Sequence, residues 1–331
     1  MSGQAEEPSA GMPRRAFLAG ALAAAGAPFL ASAVRAAPPA LKPPHVPAVP
    51  LDSKEVLALF ERFAREGRMP RRLAAWLNDR TIQEIAPYEA FDDVWFVGVR
   101  WVSAWALKTR EGAVLIDTIH EPFVGRLIEN LGRAGVALTD VRWVLMTHGH
   151  FDHVGGCYAL RKRLPNARFA MSRRGWDEAK ADARRTGRFR MPPEDKVLRD
   201  GDVVRLGSLE VKVLETPGHS WGTCSFLYDV RAGGEVHRAV TVGGQGLNGM
   251  RTARELEAYI LSMRRLLDPA LGIDADLTAH PFTTGLTERI PAVKVWRPGT
   301  PHPLVGRPGY AARLERLIAE AERFRRARFG A

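Results

Sequence analysis

The chain has 331 residues, of which 46% are hydrophobic and 26% charged, and a formal net charge of +11. This is the balance of a globular protein able to bury a sizeable core. Its two cysteines, Cys157 and Cys224, are too few for a disulfide scaffold and lack the CxxC spacing of a structural zinc site, so each is expected as a small buried residue. The basic excess is mostly arginine spread along helices, as in RKR at 161–163, with no nucleic-acid-recognition motif beside it. A solvated helical surface, able to steer an anionic small-molecule substrate, is the implied use.

In chain order, PRRAFLAGALAAAGAPFLASAVRAAP places Arg14-Arg15 ahead of an uncharged run from Ala16 to Val34. It resembles a twin-arginine export signal, with small-residue cleavage options at Ala31-Ser32-Ala33 and Val34-Arg35-Ala36. Residues 1–36 are therefore expected to be a signal peptide, read by the twin-arginine export machinery and leading to the periplasm. A membrane anchor formed by an uncleaved signal is the alternative, but the run is mostly Ala and Gly with Pro28 inside, so no permanent membrane span is expected. Residues 37–52 are proline-rich and read as a linker. Residues 53–331 read as a single domain with a helical lead-in and a C-terminal helix.

Apolar positions at helical spacing mark helices at 53–66 and 71–78. VWFVGV (94–99), SAWALKT (103–109) and AVLIDT (113–118) read as strands, followed by a helix in EPFVGRLIENLGRAG. WVLMTH (143–148) reads as a strand and VGGCYALRKRLP (154–165) as the helix leaving it; a strand near ARFAM and a helix from 174 repeat that order. A hairpin at 202–215, strands at 223–230 and 237–244, a helix through RTARELEAYILSMRRLL, a last strand in ADLTAH and a helix at 307–328 complete the chain. Strands flanked by helices in this order predict a four-layer αββα sandwich in which two sheets meet.

Residues 147–156 read THGHFDHVGG, placing His148, His150, Asp152 and His153 within six positions of a chain with nine histidines. Chance gives such a cluster with a frequency of ~3×10⁻⁴. Three imidazoles so close would compete for donors and repel one another when protonated, and a bound cation removes both problems. His148 and His150, two apart at a strand end, can reach one metal, while Asp152 and His153 turn into the next loop and can serve another. A catalytic zinc takes three protein ligands and keeps one open position, so each metal needs one further ligand. His219, in the Pro-Gly turn of ETPGHS, and His280, at the end of the strand read in LTAHPF, are the candidates. His302, between prolines, reads as structural.

THGHFDHVGG, preceded by AVLIDT and followed by DGDVVRLGSLEVKVLETPGHS and LTAHP, resembles the metallo-β-lactamase superfamily over roughly residues 90–285. The all-histidine first site and Asp-His-His second site are most similar to the third subclass of class B metallo-β-lactamases. The resemblance implies His148, His150 and His219 at a first zinc, Asp152, His153 and His280 at a second, and Asp117 as a support for the ligands. Many hydrolases of the superfamily carry a bridging acid where VGGQGLN (242–248) stands here, and the lactamases place Ser or Cys near the position of Gln245.

The expected activity is hydrolysis: two Zn²⁺ lower the pKa of a shared water, and the resulting hydroxide attacks a carbonyl carbon, with Asp152 both a ligand and an orienting catalytic group. The nitrogen and oxygen ligand set also accommodates iron or manganese. A cyclic amide such as a β-lactam is the leading substrate, which would make the protein an antibiotic-resistance enzyme; lactones and thioesters are the alternative, raised by Gln245. Trp101, Trp221, Gln245 and Asn248 lie near strand ends and are the expected substrate contacts. A non-catalytic metal-binding protein docking a partner is the remaining reading.

Overall fold

The computed structural model describes residues 49–330, so the expected signal peptide and most of the proline-rich linker lie outside the described residues. Side-chain burial begins at Leu51, and Asp52 caps the first helix through a capping box with Glu55, so folded structure starts inside the stretch read as linker. Helices α1 (Ser53–Glu66) and α2 (Arg71–Asn78) lead in, as their apolar periodicity predicts. Among the described residues no helix is long and apolar enough to cross a membrane.

A seven-stranded sheet follows: β1 (Tyr88–Phe91), β2 (Val94–Phe96), β3 (Trp105–Thr109), β4 (Gly112–Ile116), β5 (Val141–Leu145), β6 (Arg168–Ser172) and β7 (Lys196–Leu198), in that order. It is antiparallel as far as β4 and parallel beyond, where helices make the crossovers. These are α3 (Val124–Arg133), the short pair α4 (Phe151–Val154) and α5 (Cys157–Arg161), and α6 (Arg173–Thr186). The second sheet has five strands in the order β12-β11-β10-β9-β8, with β8 (Val203–Leu206), β9 (Leu209–Glu215), β10 (Cys224–Ala232), β11 (Glu235–Thr241) and β12 (Ala275–Asp276). Helices α7 (Ala253–Leu267), α8 (Leu286–Val295) and α9 (Arg307–Phe329) complete the chain.

The period of two along each strand sorts the core into layers. Trp105, Leu107, Val114 and Ile116 point between the sheets and meet Val211, Val213, Phe226 and Tyr228. Their neighbours Ala106, Ala113 and Leu115 point outward beneath α3, α5 and α6. On the far side, Leu214, Leu227 and Val240 pack against Leu256, Tyr259 and Met263 of α7 and Leu314 of α9. The result is the αββα sandwich expected from the sequence. Both cysteines are buried and unpaired.

Several local expectations are corrected. The strand read as 143–148 ends at Leu145, because the Thr147 N–H leaves the ladder to bond the Asp117 carboxylate at 2.7 Å. His148 and His150 therefore sit in a loop, and Asp152 and His153 lie on α4 rather than in a loop. The single helix read from 154 is two short helices broken at Gly155-Gly156, where the backbone passes so close to Thr118 that a Cβ on Gly156 would lie 2.4 Å from its carbonyl oxygen. ADLTAH pairs over only two residues before turning toward the site. Short β1 and β7, and α8 with Pro291 inside it, lack the length or composition to announce themselves.

His302 stacks on Phe91 at 4.3 Å, and its Nδ1 accepts the Leu304 N–H at 3.2 Å, an arrangement that needs a neutral ring. Burial pushes its pKa down to about 4. A histidine depressed in the folded state binds its proton preferentially in the unfolded chain, so stability is lost as pH falls from about 6.5 toward 4. His302→Phe is expected to reduce the loss between pH 7 and pH 5 by on the order of 1 kcal/mol, read from denaturation midpoints of both proteins.

Candidate metal centre

Two groups of ligand atoms converge at the floor of a cleft of about 2450 Å³: His148, His150 and His219 in one, Asp152, His153 and His280 in the other. The atoms within each group lie within 4.8 Å of one another. The loop after β5 and helix α4 bring four of the six, the loop after β9 brings His219, and the chain after β12 brings His280. Two links hold these segments across the sheets. The Cys224 N–H donates to the Thr147 carbonyl at 2.7 Å, and Trp105 Nε1–H donates to the Thr278 carbonyl at 3.1 Å.

The outer ring nitrogens of His148, His153, His219 and His280 are committed, and this decides what those four rings turn inward. His219 Nδ1–H donates to the Gly246 carbonyl at 2.6 Å, and His280 Nδ1–H to the Trp101 carbonyl at 2.6 Å. His153 Nδ1–H donates to Asp117 Oδ2 at 2.8 Å. His148 Nδ1–H meets Thr147 Oγ1 at 3.0 Å, and that hydroxyl donates onward to Asp117 Oδ2 at 2.9 Å. Burial lowers the pKa of His150 to about 3 and those of His219 and His280 to about 4, and holds His148 well below its ordinary value. These rings are neutral near pH 7, so their inward nitrogens carry lone pairs.

Those lone pairs face one another. His148 Nε2 and His219 Nε2 lie 3.1 and 2.9 Å from His150 Nδ1, where at most one proton can be shared. His153 Nε2 lies 3.1 Å from His280 Nε2 and 3.3 Å from Asp152 Oδ2. Burial works against a charge on His153, yet Asp152 and Asp117 on either side raise its pKa to about 10. The two carboxylates thus demand positive charge between them. Sets of imidazoles and one buried carboxylate fit divalent metal ions, and four of the five histidines already have on their outer nitrogen the kind of partner that fixes a ligating ring.

The motif segment and the fold also have known counterparts. The model of the family described as "Metallo-beta-lactamase superfamily" matches residues 97–231, which hold five of the six converging ligands. Residues 97–231 are a metallo-beta-lactamase superfamily domain.

The fold agrees with solved metallo-beta-lactamases. The native FEZ-1 metallo-beta-lactamase from Legionella gormanii superposes with a TM-score of 0.69 at 20% identity, over 75% of this chain and 98% of that one. MEM-A1, a subclass B3 metallo-beta-lactamase from a soil metagenome library, gives 0.64 at 25% identity over 74% and 97%. Among curated proteins, a hydroxyacylglutathione hydrolase of Rhodopseudomonas palustris is 35% identical over 112 residues, which is 34% of this chain. That alignment covers only 38% of the relative's own length.

Asp117 directly follows β4 with φ 62, a left-handed conformation, and is 1% exposed. The conformation aims both its oxygens at donors: Thr147 N–H, Thr147 Oγ1–H and His153 Nδ1–H. Asparagine tolerates the same backbone but would present an amide N–H₂ to one of these donors. Asp117→Asn is therefore expected to weaken binding of the metal between Asp152, His153 and His280 by 10- to 100-fold, as read by titration against a competing chelator, with little change in folding.

Glycines set the loops at their closest approaches. A Cβ at Gly244 would lie 1.9 Å from His219 Cδ2, so Gly244→Ala is expected to displace His219. Metal content should then fall by one equivalent, while the far-ultraviolet spectrum stays unchanged. The Glu178 carboxylate on α6 accepts the Trp221 and Gly222 N–H groups at 2.9 and 3.2 Å and steadies the same loop from outside.

The expected substrate contacts divide. Trp101 is buried and holds His280 through its carbonyl, with its ring 5.9 Å from that imidazole. Trp221 lines the cleft between Arg174 and Arg254, each 5.5 Å from its ring. Asn248 is exposed on the cleft wall. Gln245 also lines the cleft, while its Oε1 accepts from Arg313 at 2.8 Å and its Nε2 donates to Thr278 Oγ1 at 3.2 Å, so its amide is hydrogen-bonded within the protein. Sequence reading passed over Thr147, the Gly246 carbonyl and His120. His120 is packed edge-on against Trp101 and Phe151 in the cleft wall. Of these only Thr147 had a signal, its place at the head of the motif.

Proposed function

We propose that the protein is an exported hydrolase that holds two zinc ions and cleaves a carbonyl–heteroatom bond in a small-molecule substrate. The observation that carries this reading is the inward convergence of six ligand atoms, with the outer ring nitrogens of four of the five histidines fixed, at the floor of an open cleft. Bound zinc would supply Lewis acidity and lower the pKa of a water for attack on the carbonyl carbon. The chain's own residues do the rest. His148, His150 and His219 hold one ion, and Asp152, His153 and His280 the other. Asp117 and Thr147 fix the tautomers of His153 and His148. The Asp152 carboxylate, ionised because the facing His153 and His280 outweigh the cost of its burial, is placed to orient the attacking water. Water adds its oxygen to the acyl carbon, the bond to the leaving heteroatom breaks, and the leaving atom takes the proton.

A cyclic amide such as a β-lactam is the first substrate class, supported by an Asp-His-His group with no bridging acid and by the fold shared with subclass B3 enzymes. A thioester or lactone is the second, favoured by the local sequence likeness to hydroxyacylglutathione hydrolases and by the sequestered Gln245 amide. The cleft wall mixes Arg185, Arg188 and Arg316 with Glu61, Glu178 and Glu320, so nothing at its mouth selects strongly for an anion.

Turnover of a chromogenic cephalosporin, a lactone and a thioester by zinc-loaded protein tests the reading. At least one is expected to be hydrolysed, with activity lost to a chelator and restored by zinc. Absence of turnover on all three would overturn it.

A further inference from the structure

The cleft is larger than the roughly 300–1,000 Å³ that a small ligand needs, and one side of it is a continuous apolar strip that begins at a candidate metal ligand. The His280 ring lies 5.3 Å from Phe282, and Phe282 stacks on Phe60 of α1 at 4.9 Å with the planes 6° apart. Helix α1 then carries the strip outward. Leu57, Phe60 and Ala64 fall at helical spacing on the face that lines the cleft, while Val56 on the adjoining face is fully buried. The helix is held there by its first residue, whose backbone N–H and Oγ–H donate to Glu288 at 2.9 and 2.8 Å. Leu57 and Phe60 pack partly against the core and are only half-buried, so beside Glu61 and Arg65 they leave apolar area on the cleft wall for a ligand to cover.

From this we infer that the substrate carries an extended apolar acyl chain, which lies along α1 with its carbonyl at the two ligand groups and its tail running past Phe282 and Phe60 toward Ala64. The inference rests on the hydrolase reading and specifies its substrate class: acyl compounds with long unbranched chains in preference to short or polar ones. Leu57, Phe60 and Ala64 are then specificity-determining residues, and the leaving group is held elsewhere in the cleft.

The released carboxylate contains the whole acyl chain, so product binding tests the inference whatever the leaving group. Calorimetric titration of the zinc-loaded protein with butanoate, hexanoate, octanoate and decanoate is expected to show Kd falling about fourfold per methylene. Phe60→Ser should flatten that dependence. Ala64→Glu, at the solvent end of the strip, should weaken decanoate alone and serves if the first variant does not fold. A Kd independent of chain length, or a dependence that both variants leave intact, would overturn the inference. Turnover of short substrates without any chain-length effect would remove this inference and leave the hydrolase reading standing; absence of turnover on every substrate would remove both.

Discussion

Asp152→Ala is expected to lower turnover by two to four orders of magnitude while leaving the fold intact. The carboxylate is 8% exposed and lies 3.3 Å from His153 Nε2 and 3.6 Å from His280 Nε2, with no structural hydrogen bond to the sheets. Removing it takes the one anionic ligand from its group and the group best placed to orient a water. A bound metal's stabilisation of developing charge amounts to several kcal/mol, and each 1.36 kcal/mol is a factor of ten in rate, which gives the size of the effect. The fold should hold, because His153 keeps its bond to Asp117 at 2.8 Å on its other ring nitrogen. Steady-state kinetics beside a thermal melt checks both halves. A variant that melts normally and retains a tenth or more of the activity would remove Asp152 from the mechanism.

Arg313→Met is expected to destabilise the protein by about 3–5 kcal/mol, the cost of leaving a buried charge without its partner. Arg313 reaches in from α9, 7% exposed, and bonds Asp276 Oδ2 and Gln245 Oε1. Burial already raises the Asp276 pKa against the pull of Arg313. The pair also ties the two distal histidines to the C-terminal helix. Asp276 lies in β12, four residues before His280, and Gln245 precedes the Gly246 carbonyl that fixes His219. Tyr259 Oη–H donates to the Gln245 carbonyl at 2.8 Å and completes the brace. The double variant Arg313→Met/Asp276→Leu should recover most of the stability, because two apolar groups replace the pair. It should not recover the affinity of the His219 group for zinc. Denaturant unfolding of the single and double variants, with zinc titrations beside them, separates the two effects.

How much of this was legible in the sequence follows from how local each piece is. THGHFDHVGG carries four candidate ligands within six positions; the continuous apolar run AVLI announced a strand buried on both faces, and the alternation in LEVKV one with Glu210 and Lys212 exposed. His219 was found in a Pro-Gly turn after a strand-like run and His280 at the end of another such run, although the chain places them far from the motif. What stayed hidden is long-range. Nothing near Gln245 says that its amide will meet an arginine 68 residues later. Nothing in SKEVLALFERFARE says that one of its two apolar rows will face a cleft instead of the core. The site loops were misread as strand and continuous helix because their backbone partners, the Asp117 carboxylate and the Thr118 carbonyl, come from a distant strand end.

Metal content tests the central claim most directly. After loading with zinc and exhaustive dialysis, elemental analysis is predicted to give two equivalents per chain, one for each ligand group, with one equivalent retained in Asp152→Ala and one in His219→Ala. Less than one equivalent in the unaltered protein, or two equivalents retained in both variants, would contradict the assignment of these six residues.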